Sequence, residues 1–456
     1  MAEPKTFQND QSSSDFIFES VVIYSSRTIE PVEVKALVSA VEIYEHMNKP
    51  YLTGNIAIAD SVRVSDRMDF QGAEYIDIKI KRGPRAPIYK KTFVIDEIKT
   101  TKVNESSEVL VFHITEDIAY KANLYNVNKA YRGKPSDIIK KITKEYLGKE
   151  VASTEDTSYQ GDMQVIIPNL NPIESVMWLK KRTTDGEGYP YFLYSSFASD
   201  KLWYVDLGYL LNLPVINEKT PYIYSQSAAS NPGPGRFFTI NQYKHEQTEN
   251  MMKMIKKGLI GGSHNYYNIM TASYQDVKFD IQKDVAESVK LKNNRQSNFN
   301  VSDKFEFDEL PLHKHQSRSI YKLSSTGAYT IRGGTTNSYD EEEDVGGHKK
   351  KLVASALNHL LTKSAIQIKV NGSEFMAPDG NDTLHYTLGN SIRLIFLGNM
   401  GQNKQANRID PKKSGDYIIF AAKHSYGDER YHVTLTCAKV ANYNSDEYMT
   451  SGVSTR

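Results

Sequence analysis

The chain has 456 residues, and its 56 Lys and Arg against 55 Asp and Glu leave a net charge of +1. That balance excludes the positive excess of a basic nucleic-acid binder, and the length allows several domains with cores of their own. The one cysteine, Cys437, excludes an internal disulfide framework.

Residues 1–15 are polar and lack an apolar segment, so no secretory leader is expected. No apolar run reaches bilayer-spanning length, and a soluble chain made in a cytoplasm is predicted. From Phe16 the pattern is that of strands: Phe16 to Tyr24, Val32 to Tyr44, and the alternating Tyr51 to Ala59. Ser61 to Met68 reads as a short helix or loop, and Tyr75 to Lys81 and a hairpin at Phe93 to Thr115 complete the set. About six strands in about 100 residues without a long helix predict a small closed or nearly closed antiparallel barrel.

Helical spacing then takes over. Pro135 to Leu147 ends at Gly148, and Asn171 to Arg182 starts with Asn at the cap and Pro at the first helical position. Strands Tyr189 to Phe197 and Lys201 to Leu207 make this a mixed α/β insert. Ser225 to Gly235 is a linker by its Ser, Pro and Gly content. Arg236 to Gln247 reads as a strand, with two more in Met251 to Ile260 and Tyr266 to Phe279. Lys283 to Arg318 is polar and poorly periodic, Leu352 to Leu361 is a helix candidate, and Ile366, Ile368 and Val370 lead into the final strands.

Tyr417 to Lys439 forms a second hairpin, built like the first around a polar turn. Laid on one another without a gap, Phe93 falls on Tyr417, Ile95 on Ile419, Lys99 on Lys423 and Glu105 on Glu429 (417 − 93 = 324). Val109 then falls on Val433, Val111 on Leu435 and His113 on Cys437. Ile76, Ile78 and Ile80 precede the first hairpin as Ile392, Leu394 and Phe396 precede the second (392 − 76 = 316). The pattern predicts two versions of one β-module. The bland reading is that amphipathic hairpins all look alike. The added strand and the similar loop placement favour duplication.

The predicted fold class is therefore α+β, mainly β: two similar antiparallel β-barrels with an α/β insert, the second barrel discontinuous. The divisions are a polar tail at 1–15, the first barrel at 16–118 and the insert at 119–235. The second barrel occupies 236–285 and 351–445 around an irregular insertion at 286–350, and a tail follows at 446–456.

Catalytic motifs are missing: no phosphate-binding loop, H-E-x-x-H, C-x-x-C or G-x-S-x-G occurs. His313 and His315, with the acidic run Asp340 to Asp344, are too few in fixed spacing for a metal site and read as solvated. Cys437, at an inward strand position, reads as a small core residue rather than a nucleophile. Gly261 and Gly262 near Lys256 and Lys257 read as a turn. The basic stretch Lys79 to Lys91, with Tyr89, reads as a strand edge guarded by lysines. No catalytic, cofactor-binding or metal residue is assigned, and no enzyme activity is expected.

This order of parts resembles the central baseplate hub protein of contractile-tailed bacteriophages, and the base of the spike proteins of related injection and type VI secretion machines. The pieces that carry the likeness are Lys49 to Ser61 ahead of Tyr75 to Lys81, the helix Leu352 to Leu361, Leu388-Gly389-Asn390 with Ile392, and Ser414-Gly415-Asp416-Tyr417. The likeness spans most of Phe16 to Leu210 and Arg236 to Asn442, while Lys283 to Gly347 matches nothing in it. It implies barrels like those of the tail tube and a homotrimer whose two modules per chain make a ring of six similar units. That ring would adapt a six-fold tail tube to a three-fold central spike and leave a channel for DNA passage. It implies tube, spike and baseplate wedge proteins as partners, in a virion assembled in the host cytoplasm. No cofactor, specific nucleic-acid binding or stable membrane insertion is expected. A tail-associated cell-wall hydrolase and a receptor- or glycan-binding tail module are the alternatives, the latter suggested by the 30 tyrosines.

Overall fold

A computed structural model of the protein describes residues 16–27, 30–68, 70–72, 74–81, 88–102, 108–154, 157–159, 162–218, 220–224, 238–247, 251–268, 272–292, 295–299, 306–307, 309–316, 318–324, 345–372, 388–398, 408–427 and 430–443. The chain opens with β1 (Ile17–Tyr24), β2 (Val32–Glu33), β3 (Val38–His46), β4 (Thr53–Asp60), α1 (Val64–Met68), β5 (Tyr75–Lys81), β6 (Ile88–Lys102) and β7 (Glu108–Glu116). Alternation makes these strands: along β4, Gly54, Ile56, Ile58 and Asp60 are buried while their neighbours reach outward. The inward Asp60 also ends the strand. Its Oδ1 accepts the amides of Val62 (3.2 Å) and Val64 (2.9 Å) and so starts α1.

The insert follows as α2 (Asp117–Ala122), β8 (Ala130–Gly133), α3 (Pro135–Ile142), β9 (Val151–Ser153), β10 (Met163–Ile166), α4 (Pro172–Lys181), β11 (Tyr191–Ser195), β12 (Leu202–Asp206), α5 (Leu207–Leu211) and β13 (Tyr222–Tyr224). Both predicted helices start at proline. The first runs on through a wider turn to Gly148, whose φ of 67° ends it in the left-handed region. In the second, Asn171 Oδ1 accepts the Glu174 amide at 2.7 Å and the Glu174 carboxylate accepts the Asn171 amide in return. Ile138, Ile139, Ile142, Val176 and Leu179 give the insert a hydrophobic cluster of its own.

The rest comprises β14 (Gln242–Gln247), α6 (Met251–Lys256), β15 (Gly261–Asn268), β16 (Ser273–Asp280), β17 (Glu306–Phe307), β18 (Leu310–Pro311), β19 (Ser319–Ser324), α7 (Val345–Leu361), β20 (Ser364–Asn371), β21 (Ser391–Gly398), β22 (Arg408–Ile409), β23 (Gly415–Gly427) and β24 (Arg430–Asn442). The strand expectations are corrected in places. Val32 to Tyr44 is not one strand, because a helical turn at Lys35–Leu37 separates β2 from β3, and Tyr266 to Phe279 spans parts of the two paired strands β15 and β16. Met251 to Ile260 opens as helix α6, because methionine and lysine favour helix and only Met254 of that turn is buried. β15 and β16 form a separate sheet with β19, whereas β14 enters the main sheet beside β20.

The fold is mainly antiparallel β, and it holds two like modules. Their strands lie in the order β3-β4-β7-β6-β5-β1 and β14-β20-β24-β23-β21-β13. Only the last pair differs in sense, β1 lying antiparallel to β5 and β13 parallel to β21. The details repeat. Ile76 faces Phe93 across the ladder as Ile392 faces Tyr417. The Ile95 amide donates to the Glu74 carbonyl at 2.8 Å as the Ile419 amide donates to the Asn390 carbonyl at 3.0 Å. Each long hairpin carries a β-bulge at the same place, between Ile95 and Glu97 and between Ile419 and Ala421.

The gapless alignment is corrected on the return strand. Past the turn, Ile114 faces Ile95 where Cys437 faces Ile419, so the offset there is 323 (437 − 114) rather than 324. The second turn is one residue shorter. Leu110, Phe112 and Ile114 are the buried counterparts of Val433, Leu435 and Cys437, while Val109, Val111 and His113 lie on the other face. A shift of one residue exchanges the faces of a strand, so burial decides the register.

A second difference is closure. The modules are joined by a ladder between β23 and β3, and the sheet runs from β14 through to β2 with no pairing between its ends among the described residues.

Candidate assembly interface

The junction of the modules rests on one strand with two neighbours. The first half of β23 pairs with β21, from Gly415 to Ile418. Beyond the bulge at Phe420 the same edge pairs with β3, Ala421 facing His46 and Gly427 facing Ala40. A bulge adds local twist, which lets the strand leave one neighbour and take another.

The junction is cemented by buried polar groups. Glu45 stands at an inward position of β3 among Val41, Ile43 and Met47. Its Oε1 accepts the Phe197 amide at 2.6 Å and lies 3.0 Å from His424 Nε2 on β23. A carboxylate only accepts, which makes Nε2 the donor; Nδ1, 2.7 Å from the Tyr431 hydroxyl, completes the chain. Tyr431 stacks on Tyr426 with centroids 4.5 Å apart. At the exposed rim Lys423 Nζ reaches Glu42 at 2.9 Å. One carboxylate therefore ties module one, module two and the insert together.

Two further buried carboxylates hold other elements. Glu116 Oε2 accepts the Leu52 amide and the Ser195 hydroxyl, each at 3.0 Å, and Oε1 takes Lys149 Nζ at 3.0 Å. Asp416 is bound by Arg393 Nε at 2.8 Å and by Arg295 Nη1 at 3.3 Å. Sequence reasoning missed Glu45, Glu116, Asp416 and His424. The signal for the first two was present: a carboxylate at an inward position of an apolar alternation needs a partner.

The residues weighed in the sequence are scattered. Cys437 is buried on β24, and burial pushes its thiol pKa well up. His313 and His315 lie at the short turn beside β18, and a Cβ on Gly261 would strike the carbonyls of both. The glycine there permits close packing of that turn against β15. Asp340 to Asp344 and residues 82–87 lie outside the described residues. Of the basic stretch, Lys91 is buried, with Nζ 3.0 Å from Asp200 Oδ1, and Lys90 pairs with Asp77 at 3.1 Å. Among the described residues no group of three or more His, Cys, Asp and Glu is arranged to hold a metal. No helix there is long and apolar enough to cross a membrane.

No protein-family model matches the sequence, and no curated protein does. Solved structures do resemble it. The tail protein from Neisseria meningitidis superposes with a TM-score of 0.51 at 10% identity, over 93% of this chain and 96% of that one. The 43 kDa tail protein of prophage MuSo2 from Shewanella oneidensis gives 0.49 at 8% identity, over 92% and 98%. An Escherichia coli component of the type VI secretion system gives 0.40 at 9%, over 93% and 77%. The first of these likenesses establishes the fold, that of the Neisseria meningitidis tail protein.

Proposed function

We propose that this chain, which shares the fold of a solved tail protein, is the non-enzymatic hub of a contractile-tail baseplate. Three copies form a ring that adapts a six-fold tail tube to a three-fold central spike and leaves a channel for DNA. One observation carries the reading: two modules of one strand order, fused edge to edge in one chain. Such a chain presents two near-equivalent faces, so three copies present six, and a mismatch between three-fold and six-fold neighbours is resolved. Tube, spike and wedge proteins are the partners, and the site of action is the virion. Stable ring contacts of this kind bury over ~1,000 Å² each. The expected mass of the ring, measured in a complex with tube or spike, is that of three copies. One, two or six copies per ring would sink the reading.

A receptor-binding role has one observation in its favour. Tyr267, Tyr274 and Tyr321 share one face of the β15-β16-β19 sheet and are 45%, 60% and 75% exposed. Binding of the purified chain to host cells or cell-wall glycan, lost on changing these tyrosines, would favour that role over the hub.

A further inference from the structure

Lysines from two elements gather at the junction of the modules. β3 ends at His46, whose ring meets that of the bulge residue Phe420 edge-on at 4.8 Å, and Asn48 and Lys49 follow. Lys180 and Lys181 stand on the last turn of α4. Lys180 Nζ donates to Asn48 Oδ1 at 2.8 Å and lies 6.0 Å from the centre of the buried Phe192 ring. Burial, then the charges of Lys49 and Lys180, push the His46 pKa down; burial, then Lys181, does the same to Lys180. Among the described residues, none of the three lysines takes part in an ion pair. Lysines at a helix end are ordinary, since they meet the negative end of its dipole. That accounts for Lys181, but not for Lys49, which comes from another element. Other lysine ends that the fold encloses are better matched. Lys91 Nζ takes Asp200 Oδ1 at 3.0 Å, and Lys149 Nζ takes Glu116 Oε1 at 3.0 Å. Lys439 Nζ donates to the carbonyls of Pro411 and Lys412 at 3.1 and 3.0 Å. Lys180 has a single neutral acceptor for its three N–H donors.

We propose that the cluster of His46, Asn48, Lys49 and Lys180 binds a side-chain carboxylate of a partner protein, an acidic segment that docks at the junction of the modules. The carboxylate accepts from Lys49 Nζ and Lys180 Nζ, and from Asn48 Nδ2, since the Asn48 Oδ1 is already taken by Lys180. It supplies from outside what Asp200 and Glu116 supply to Lys91 and Lys149 within the chain. It also holds the Lys180 ammonium in its charged form, which offsets the cost of enclosing it. Charge complementarity selects an anion, and the recessed place of Lys180 beside Phe192 selects one on a slender stem. Duplex DNA carries its phosphates on a wide cylinder and reaches only the exposed Lys49 and Lys181. The site is complete within one chain and so does not depend on the ring.

Lysine labelling tests the site. The probe is a tetraglutamate peptide, with tetraglutamine as its neutral control and inorganic phosphate as the competing anion. The full-length chain is acetylated briefly at about pH 8 with each present, where Lys180 is partly uncharged and so reactive. Labelling of Lys180 is read by mass spectrometry after digestion. Tetraglutamate is expected to slow it about tenfold, because the ion pair keeps the amine protonated and covers it. Tetraglutamine is expected to leave it unchanged. Calorimetry at low salt is expected to show peptide affinity about tenfold weaker in Lys180→Met and in Lys49→Met, each of which removes one charged donor. The labelling uses the unaltered chain, so it decides even where a variant fails to fold. Unprotected Lys180, or equal peptide affinity in a folded Lys180→Met chain, overturns the site. Phosphate that protects Lys180 as well as tetraglutamate does, at equal total charge, overturns the carboxylate as its occupant.

Discussion

Lys180 shows how a single charged group is held at a seam of this molecule. It lies on the last turn of α4, and its Nζ donates to Asn48 Oδ1 at 2.8 Å, just past the end of β3. Burial, and then the charge of Lys181, pushes its pKa down to about 8. A lowered lysine pKa means that protonation costs more in the folded than in the unfolded chain. Its contribution to stability is full above the ordinary lysine range and is lost as pH falls through about 8. Lys180→Met is expected to raise stability at pH 7 by ~1 kcal/mol, a figure reduced for the partial exposure of the group. The gain should shrink as pH rises from 8 toward 10.5. Denaturant melts at several pH values check this, and a difference between variant and parent that does not vary with pH rules it out. Asp185, raised to about 6 by burial, has the opposite slope: its contribution is lost as pH rises.

At the scale of elements, the long hairpins do most of the architectural work. Each bends at its bulge, and the bend in β23 is what frees its second half to meet β3. The Glu45–His424–Tyr431 chain sits directly behind that contact. Glu45→Ala leaves the Phe197 amide and the imidazole unsatisfied in a dry site, and an expected loss of ~3–5 kcal/mol follows from breaking a buried polar pair. Chemical denaturation measures it. A loss under ~1 kcal/mol, the scale of an exposed ion pair, would show that the network does not join the modules. Packing around it is equally tight. A Cβ on Gly372 would run into the Tyr431 ring, which is itself pinned by stacking on Tyr426.

For the whole molecule, the proposed function turns the near-neutral charge into a constraint. A wall past which a polyanion slides must not accumulate phosphate contacts, since each adds salt-dependent affinity. Lysines of the sheet such as Lys90 and Lys91 are paired with acids, in keeping with the +1 total. The full chain is expected to give no retarded duplex-DNA band at ~0.15 M salt, where residual surface fields decay within ~8 Å. A micromolar complex with a steep salt slope would contradict the channel part of the proposed function.

Local chemistry determined much of this protein in its sequence. Strand alternation placed Ile56, Phe93 and Leu435 inward, proline and asparagine placed the start of α4, and the repeated hairpin disclosed the duplication. These readings succeed because periodicity and capping act over a few residues. Composition could not tell helix from strand at Met251–Lys256, nor detect that one hairpin turn is a residue shorter than the other. Pairing partners were beyond its reach altogether. Lys423 and Glu42 meet across 381 residues of chain, and β15 joins β19 rather than the main sheet. A strand edge offers the same backbone donors and acceptors whatever its side chains. Which edge meets which was therefore decided only in the tertiary structure, by the bulge at Phe420 and the carboxylate of Glu45.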